Sequence, residues 1–245
     1  MRILLIGCEV VLRELCDSVA HSPHLVDTKF LTKGLHDLGG KAMRAKLQEE
    51  IDAVEPGAYD AIALGYGLCG NGLAGLEARS IPLVIPRAHD CIALLMGSRA
   101  DFARYFRENP GVYYRSAGWV ERGSNLLPLA REQTGYGMTL DALIDRYGED
   151  NGRFLYEEFT RYQQNYAKLT YIETGLEPDR RFEDQSRTEA AEKGWTFEIL
   201  QGNLNLFRRL LVGEWSDDDF LVVAPGHRVV SCYDDRIVSA ERGSS

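Results

Sequence analysis

Short apolar runs alternate with stretches of helical spacing in the first half of this chain, and this alternation limits the folds available to it. Predicted strands cover residues 3–7, 24–34, 59–67 and 81–87, and predicted helices cover 10–22, 41–54 and, more briefly, 73–79. A β-α-β-α-β-α-β order predicts a parallel sheet covered by helices on both faces. The fold class is therefore α/β, with Rossmann-like parallel-sheet layers.

The second half repeats the alternation less regularly. Helices are predicted at 101–109, 140–148, 152–169, 186–194 and 204–213, and strands at 111–119, 170–174, 196–202 and 219–226. We predict two α/β lobes, residues 1–112 and 113–245, with a cleft between them. Residues 120–138 lack a clear period and are the best candidate for a boundary or a lid.

Composition narrows the classes of function. The formal net charge of −9 argues against nucleic acid as the main partner, because phosphate binding needs an excess of Lys and Arg. The sequence has no secretory signal and no run of about 18 apolar residues, so we expect a cytoplasmic protein without a membrane span. Its five cysteines are then expected to be reduced thiols.

Cysteine and histidine residues follow the predicted strands. The residues in question are Cys8, His36, Cys69, His89 and Cys91. Because parallel strands end at one edge of a sheet, and open α/β folds bind ligands there, we expect these side chains to share a site. Thiolate and imidazole are ligands that zinc favours. The sequence therefore predicts a zinc site, although it has no paired C-x-x-C motif. Each residue alone is also compatible with burial or a turn.

The glycine-rich stretch "LGYGLCGNGLAGL" (64–76) has three readings. Its backbone N–H groups at Gly70, Asn71 and Gly72 would approach a substrate closely. Cys69 would serve as a catalytic nucleophile, in the manner of racemases that use one thiol from each of two lobes. The remaining cysteine of the second half, Cys232, follows no matching turn, which weakens that second reading. The third reading is a crowded turn without chemistry.

Other polar residues are candidates on weaker grounds. Arg87 and Arg99 would orient a carboxylate or phosphate of the substrate, or would lie on the surface. Glu121 follows a predicted strand and is either an acid–base group or a solvated loop residue. His227 also follows a strand, where it is a candidate catalytic residue or a turn histidine.

Six blocks of the sequence together resemble a known family. They read "CEVVLRELCD", "FLTKGLHDLG", "YDAIALGYGLCGNGL", "LVIPRAHDCIALLMGSR", "YYRSAGWVE" and "FLVVAPGH". The chain is similar, from Cys8 to about His227, to the family catalogued as domain of unknown function 1638. Members are often encoded beside corrinoid-dependent methyltransferase systems, so the resemblance implies a role in methyl transfer and a corrinoid-carrying partner.

Three hypotheses follow. The first is a zinc enzyme that acts on a small thiol or amine in one-carbon metabolism. The second is a non-catalytic accessory protein that delivers a metal or cofactor to a methyltransferase. The third is a cysteine-nucleophile enzyme of racemase or isomerase type, in which Cys69 is the nucleophile.

Overall fold

The structure is a computed structural model that describes residues 1–36, 38–122, 138–161 and 165–243. The strands are β1 (Arg2–Cys8), β2 (Leu25–Leu31), β3 (Ala61–Gly65), β4 (Leu83–Pro86), β5 (Val112–Ser116), β6 (Lys168–Glu173), β7 (Thr196–Gln201), β8 (Phe220–Val223), β9 (His227–Ser231) and β10 (Val238–Arg242). The helices are α1 (Leu12–Ala20), α2 (Gly40–Asp52), α3 (Cys91–Leu95), α4 (Arg99–Glu108), α5 (Ala117–Arg122), α6 (Leu140–Tyr147), α7 (Glu149–Arg161), α8 (Arg181–Glu192) and α9 (Asn205–Val212). Short 3-10 turns cover Glu9–Val11 and Lys33–Leu35.

The first sheet has five strands in the order β2-β1-β3-β4-β8. Strands β2, β1, β3 and β4 run parallel. Strands β1, β3 and β4 are almost fully buried, because their continuous apolar runs are covered on both faces. The predicted α/β class with parallel-sheet layers is confirmed.

The carboxyl ends of the central strands lie level with one another. Gly7 of β1 pairs with Gly65 of β3. Both positions lie under α1, where an added Cβ would come within 2.5 Å and 2.6 Å of a Leu15 methyl carbon. These glycines let α1 pack directly on the sheet. The residues that follow β1 and β3 therefore leave the sheet side by side.

The second sheet contains β5, β6 and β7, all parallel. Helix α5 follows β5 and packs against the 3-10 turn that follows β1. At this contact an added Cβ on Gly118 would lie 1.7 Å from the carbonyl oxygen of Val10. Arg13 also donates two hydrogen bonds of 3.1 Å to the Glu121 carboxylate. The two sheets thus meet near the carboxyl end of β1.

One strand predicted for the second lobe belongs to the first sheet. Strand β8 pairs antiparallel with β4, with Val222 opposite Val84. Helix α9, which precedes β8, explains this placement. Its apolar side chains are buried and pack against α1, β3 and β4; they are Leu206, Phe207, Leu210 and Leu211. The division at residues 112 and 113 stays a prediction about domains, but it does not coincide with the division between the sheets.

The predicted helix at 73–79 is wrong. Gly75 has a φ of +91°, and the segment bonds to the C-terminal hairpin instead, through Gly75 N–H to the Val229 carbonyl (2.7 Å) and Ala78 N–H to the His227 carbonyl (2.9 Å). That hairpin, β9 with β10, was not predicted. The predicted strand 111–119 ends at Ser116, and α5 begins at Ala117.

Two further findings concern the sequence predictions. Most of the boundary or lid candidate 120–138 lies outside the described residues. Across the parts of the chain that the structure describes, no helix combines the length and apolarity needed to cross a membrane.

Candidate functional site

A cavity of about 380 Å³ opens at the carboxyl edge of the first sheet. We call it the thiol cavity. Its lining consists of His36, Gly39, Gly40, Met43, Cys69, Gly70, Asp90, Cys91 and Trp119. The volume falls within the range of small-molecule sites. The cavity therefore brings together three of the five predicted metal ligands at the predicted edge of the sheet.

Cys8 lies beside this cavity as the last residue of β1. Its side chain is buried, and its Sγ is 3.6 Å from His36 Nε2. Burial raises the pKa of the Cys8 thiol to about 12, although the backbone N–H of Val10 donates to the sulfur and opposes that rise. Cys8 and His36, which come at or after the ends of different strands of the first sheet, thus lie side by side.

Cys69 is held in place by a continuation of the parallel ladder beyond β3 and β4. Leu68 N–H donates to the Ala88 carbonyl, and Cys69 N–H to the His89 carbonyl, both at 2.8 Å. The backbone then turns through Cys69, Gly70 and Asn71 with φ values of +46°, +63° and +65°. Such left-handed backbone is costly for a residue with a Cβ. The turn places the Cys69 sulfur where it accepts from the backbone N–H groups of Gly67 and Cys91.

Cys91 begins α3 and faces the second sheet. Asp90 caps this helix by accepting from the N–H groups of Ile92 (3.0 Å) and Ala93 (3.1 Å). Trp119 of α5 donates its indole Nε1–H to the Cys91 sulfur at 3.2 Å. Sequence reasoning did not select Trp119. Its position inside the "YYRSAGWVE" block was the available indication.

The thiols of Cys8, Cys69 and Cys91 influence one another's ionisation; Cys8 and Cys91 are buried and Cys69 is half-buried. Burial raises the pKa of Cys69 and of Cys91, and the Asp90 carboxylate raises both further. Cys8 raises the pKa of each of these two thiols as well. All three side chains are therefore neutral thiols near pH 7, which is unfavourable for a free thiolate nucleophile.

Tyr66 adds an unsatisfied group to the same place. Its ring stacks on His36 with a centroid distance of 6.4 Å. Within the described ranges its buried hydroxyl has no hydrogen-bond partner. Burial raises its pKa, and Cys8 and Cys69 raise it further. A buried polar atom without a partner favours an additional bound group nearby.

The predicted ligand His89 does not join the cluster. It is exposed and lies against Phe102, with ring centroids 6.4 Å apart, in a second cavity. The sequence predicted an extended segment from His89 to Cys91, in which both side chains would point in the same direction. Instead α3 begins at Cys91, so Cys91 faces the thiol cavity and His89 faces away from it.

Two predicted substrate-binding arginines make structural contacts. Arg87 is buried and donates to the Asp217 carbonyl (2.7 Å) and carboxylate (2.7 Å) and to the carbonyls of Arg236 (3.0 Å) and Val238. Arg99 donates to the Asp235 carbonyl and lines the second cavity. Neither residue lines the thiol cavity.

The other site residues predicted from the sequence are Gly70, Asn71, Gly72, Glu121 and His227. Gly70 lines the thiol cavity, whereas Asn71 is exposed in the turn. Gly72 is buried where an added Cβ would overlap the Met43 side chain. Glu121 is paired with Arg13, and His227 begins β9 with Nδ1 3.2 Å from the Pro225 carbonyl. Outside Gly70, these residues do not line the thiol cavity.

The donor chemistry of the cluster fits a soft divalent cation, since sulfur and imidazole nitrogen are its preferred ligands. N–H groups aimed at Cys8 and Cys69 are the contacts that stabilise sulfur in its anionic form. Among the described residues, however, no three His, Cys, Asp or Glu side chains are arranged to hold a metal ion. Coordination therefore requires a change of side-chain orientation in the cluster.

The comparisons with known proteins give a family. The family model described as "Protein of unknown function (DUF1638)" matches residues 30–211. This range includes every residue that lines the thiol cavity and excludes Cys8. No curated protein and no solved structure matches the chain.

Proposed function

The chain belongs to the DUF1638 family of proteins of unknown function, and we propose that it binds a soft transition-metal ion, in the first place zinc, through Cys8, Cys69 and Cys91. His36 would provide the nitrogen ligand. The observation that carries the proposal is that three cysteines, from the ends of three strands, line or adjoin one cavity.

The raised thiol pKa values are consistent with this proposal. A metal ion replaces the protons of its cysteine ligands, so a thiol site without its metal is a cluster of protonated sulfurs. The N–H donors from Val10 to Cys8, and from Gly67 and Cys91 to Cys69, would stabilise the thiolates once formed. His89 is no longer part of the proposed ligand set.

The bound ion would supply Lewis-acid chemistry, by activating a small thiol or amine. The residues of the chain would bind and enclose that substrate. Trp119 and Met43 provide apolar walls of the cavity, and Gly70 leaves one side open to backbone contact. A role beside a corrinoid-dependent methyltransferase, as enzyme or as non-catalytic accessory protein, rests on the family resemblance alone.

Metal content tests the proposal directly. Full-length protein purified without chelators or a metal-affinity tag is expected to contain about one zinc per chain, and the Cys69→Ser, Cys91→Ser double variant none. The matched control replaces two cysteines that do not line the thiol cavity, Cys16→Ser with Cys232→Ser, and should retain the metal. Metal-free wild type that cannot be reloaded, or equal zinc in both double variants, would contradict the proposal.

The contact between Cys8 and His36 favours a second candidate, a metal-free thiol enzyme. An imidazole 3.6 Å from the sulfur is close to the reach of a general base. Iodoacetamide labelling of chelator-treated protein at pH 8 separates the candidates. The metal-site proposal expects exposed Cys16 to react well before Cys8, Cys69 and Cys91. Faster labelling of Cys8 than of Cys16 would favour the thiol enzyme.

A further inference from the structure

A second cavity, of about 660 Å³, lies on the other side of Asp90 from the thiol cavity. We call it the α4 cavity, because helix α4 forms much of its lining, opposite Asp234, Asp235 and Ile237. Asp90 lines both cavities. The volume is again within the range of organic ligands.

Helix α4 presents one face to this cavity. The lining positions of the helix are Arg99, Ala100, Phe102, Ala103, Phe106 and Arg107. Their spacing of three and four residues is that of the apolar stripe which normally packs against a protein core. Here the outer part of that stripe is open, since Phe106 is 58% exposed.

The centre of this face is an aromatic wall. Phe102 and Phe106 stack with centroids 5.8 Å apart and an interplanar angle of 28°, and the His89 ring continues the wall beyond Phe102. Phe102 is buried, whereas Phe106 is exposed. The open Phe106 ring, backed by Phe102, suits a planar ring as ligand, because aromatic surfaces pair by offset stacking.

The two ends of the face carry arginines about 12 Å apart along the helix axis. The Arg99 guanidinium donates to the Asp235 carbonyl. Within the described parts of the chain, Arg107 has no hydrogen bond or ion pair. Its neighbour Arg104, by contrast, is paired with Asp101 at 2.7 Å.

Two of the acidic residues in the lining, Asp234 and Asp90, are engaged by other groups. Asp234 is held by the Arg236 guanidinium at 2.7 Å, and the Asp90 carboxylate caps α3. Asp235 lies at the Arg99 end, where its carbonyl accepts from Arg99. The Arg107 guanidinium, without a partner among the described residues, is therefore the group in this cavity most suited to bind a carboxylate or phosphate.

We propose that the α4 cavity binds an organic anion that carries a planar ring. The ring stacks on the exposed Phe106, which Phe102 supports from the core side, and the anionic group bonds to Arg107. This site uses neither the thiols nor a metal ion, so an experiment can test it independently of the proposed metal site.

A fluorescence titration of the full chain, treated with chelator, tests the site. The probe is 8-anilinonaphthalene-1-sulfonate, an aromatic anion that brightens in apolar surroundings. Arg107→Gln should weaken its binding about tenfold, the usual loss for a charge-assisted hydrogen bond. The matched control Arg104→Gln removes the same charge from the same helix outside the cavity lining and should change binding less than about twofold. Phe106→Ala should also weaken binding.

Displacement of the probe identifies the anionic group. AMP with adenosine, and 1-naphthoate with 1-naphthylmethanol, form two pairs in which only the charged member should displace it. Displacement by AMP indicates a phosphate ligand, and displacement by naphthoate a carboxylate ligand. No probe binding, equal affinity in Arg107→Gln and Arg104→Gln, or equal displacement by charged and neutral members would overturn the proposal.

Discussion

Glu14 is a buried carboxyl group where the two sheets meet. Its side chain is 1% exposed, and Thr174 donates to its Oε1 at 3.0 Å. Oε2 has no partner among the described residues. Burial raises its pKa to about 7, and Glu177 contributes to that rise. A carboxyl group that is protonated in the fold contributes stability at low pH.

The sign of the resulting pH dependence follows from that raised pKa. The contribution of Glu14 to stability is complete below its ordinary pKa of 4.5 and is lost as the pH rises through about 7. The difference corresponds to about 3 kcal/mol at pH 8. Glu14→Gln should therefore raise the free energy of unfolding at pH 8, by up to that amount, and change it little at pH 4.

Urea unfolding at the two pH values measures this effect. Glu49→Gln is the control, because Glu49 is exposed and pairs with Lys46 on the surface. A Glu14→Gln variant that is equally stabilised at both pH values would show that ionisation of Glu14 is not the cause.

At the scale of elements, Arg87 connects β4 to the C-terminal segment. The residue is 5% exposed, whereas the Asp217 side chain that it contacts is 93% exposed. That exposed charge contributes little. More of the stabilisation comes from the backbone carbonyls of Asp217, Arg236 and Val238, which accept from the guanidinium. Buried carbonyls without a donor cost about 1–3 kcal/mol each.

Arg87→Met should consequently lower the free energy of unfolding by about 3 kcal/mol or more. Arg236→Met is the matched control, since the Arg236 guanidinium is exposed and bonds to Asp234, and it should cost less than about 1 kcal/mol. Chemical denaturation measures both. Wild-type stability in Arg87→Met would show that these hydrogen bonds do not stabilise the fold.

The sequence predicted elements well where local pattern decides structure. Helix α2 buries Met43, Leu47 and Ile51, the stripe of its period, and the buried strands follow from their apolar runs. The segment 73–79 was misassigned because its partner, β9, is about 150 residues distant. Helix α3 was not predicted because its five residues, Cys91–Leu95, are buried on every side and show no period.

At the scale of the whole molecule, the thiol cavity needs both sheets. Cys8, Cys69 and Cys91 come from the first sheet, and strand-end reasoning found them. Trp119 comes from the helix after β5, and no local pattern states that this helix packs over the cavity. The sequence could predict the three thiols and His36 of the site. It could not predict the Trp119 wall or the exclusion of His89.

Gly118→Ala tests the junction of the two sheets. The added Cβ would overlap the Val10 carbonyl oxygen, so α5 must shift and carry Trp119 away from Cys91. We expect a stability loss of about 1–3 kcal/mol, changed Trp fluorescence and weaker zinc binding. Gly148→Ala is the control for zinc affinity. An added Cβ there meets nothing within 4 Å but is strained at φ +82°, so this variant should lose stability without weaker zinc binding. Unchanged zinc affinity in Gly118→Ala would show that the second sheet is not needed for the site.

On the proposed function, three protonated cysteines lose their protons and become the ligands of a metal ion. The most direct measurement is the number of protons released when zinc is titrated into chelator-treated, dialysed protein in weak buffer at pH 7. Because burial holds the three thiols in protonated form, we predict about three protons per zinc in wild type and about two in Cys69→Ser. Zinc binding without proton release, or no binding at all, would contradict the account.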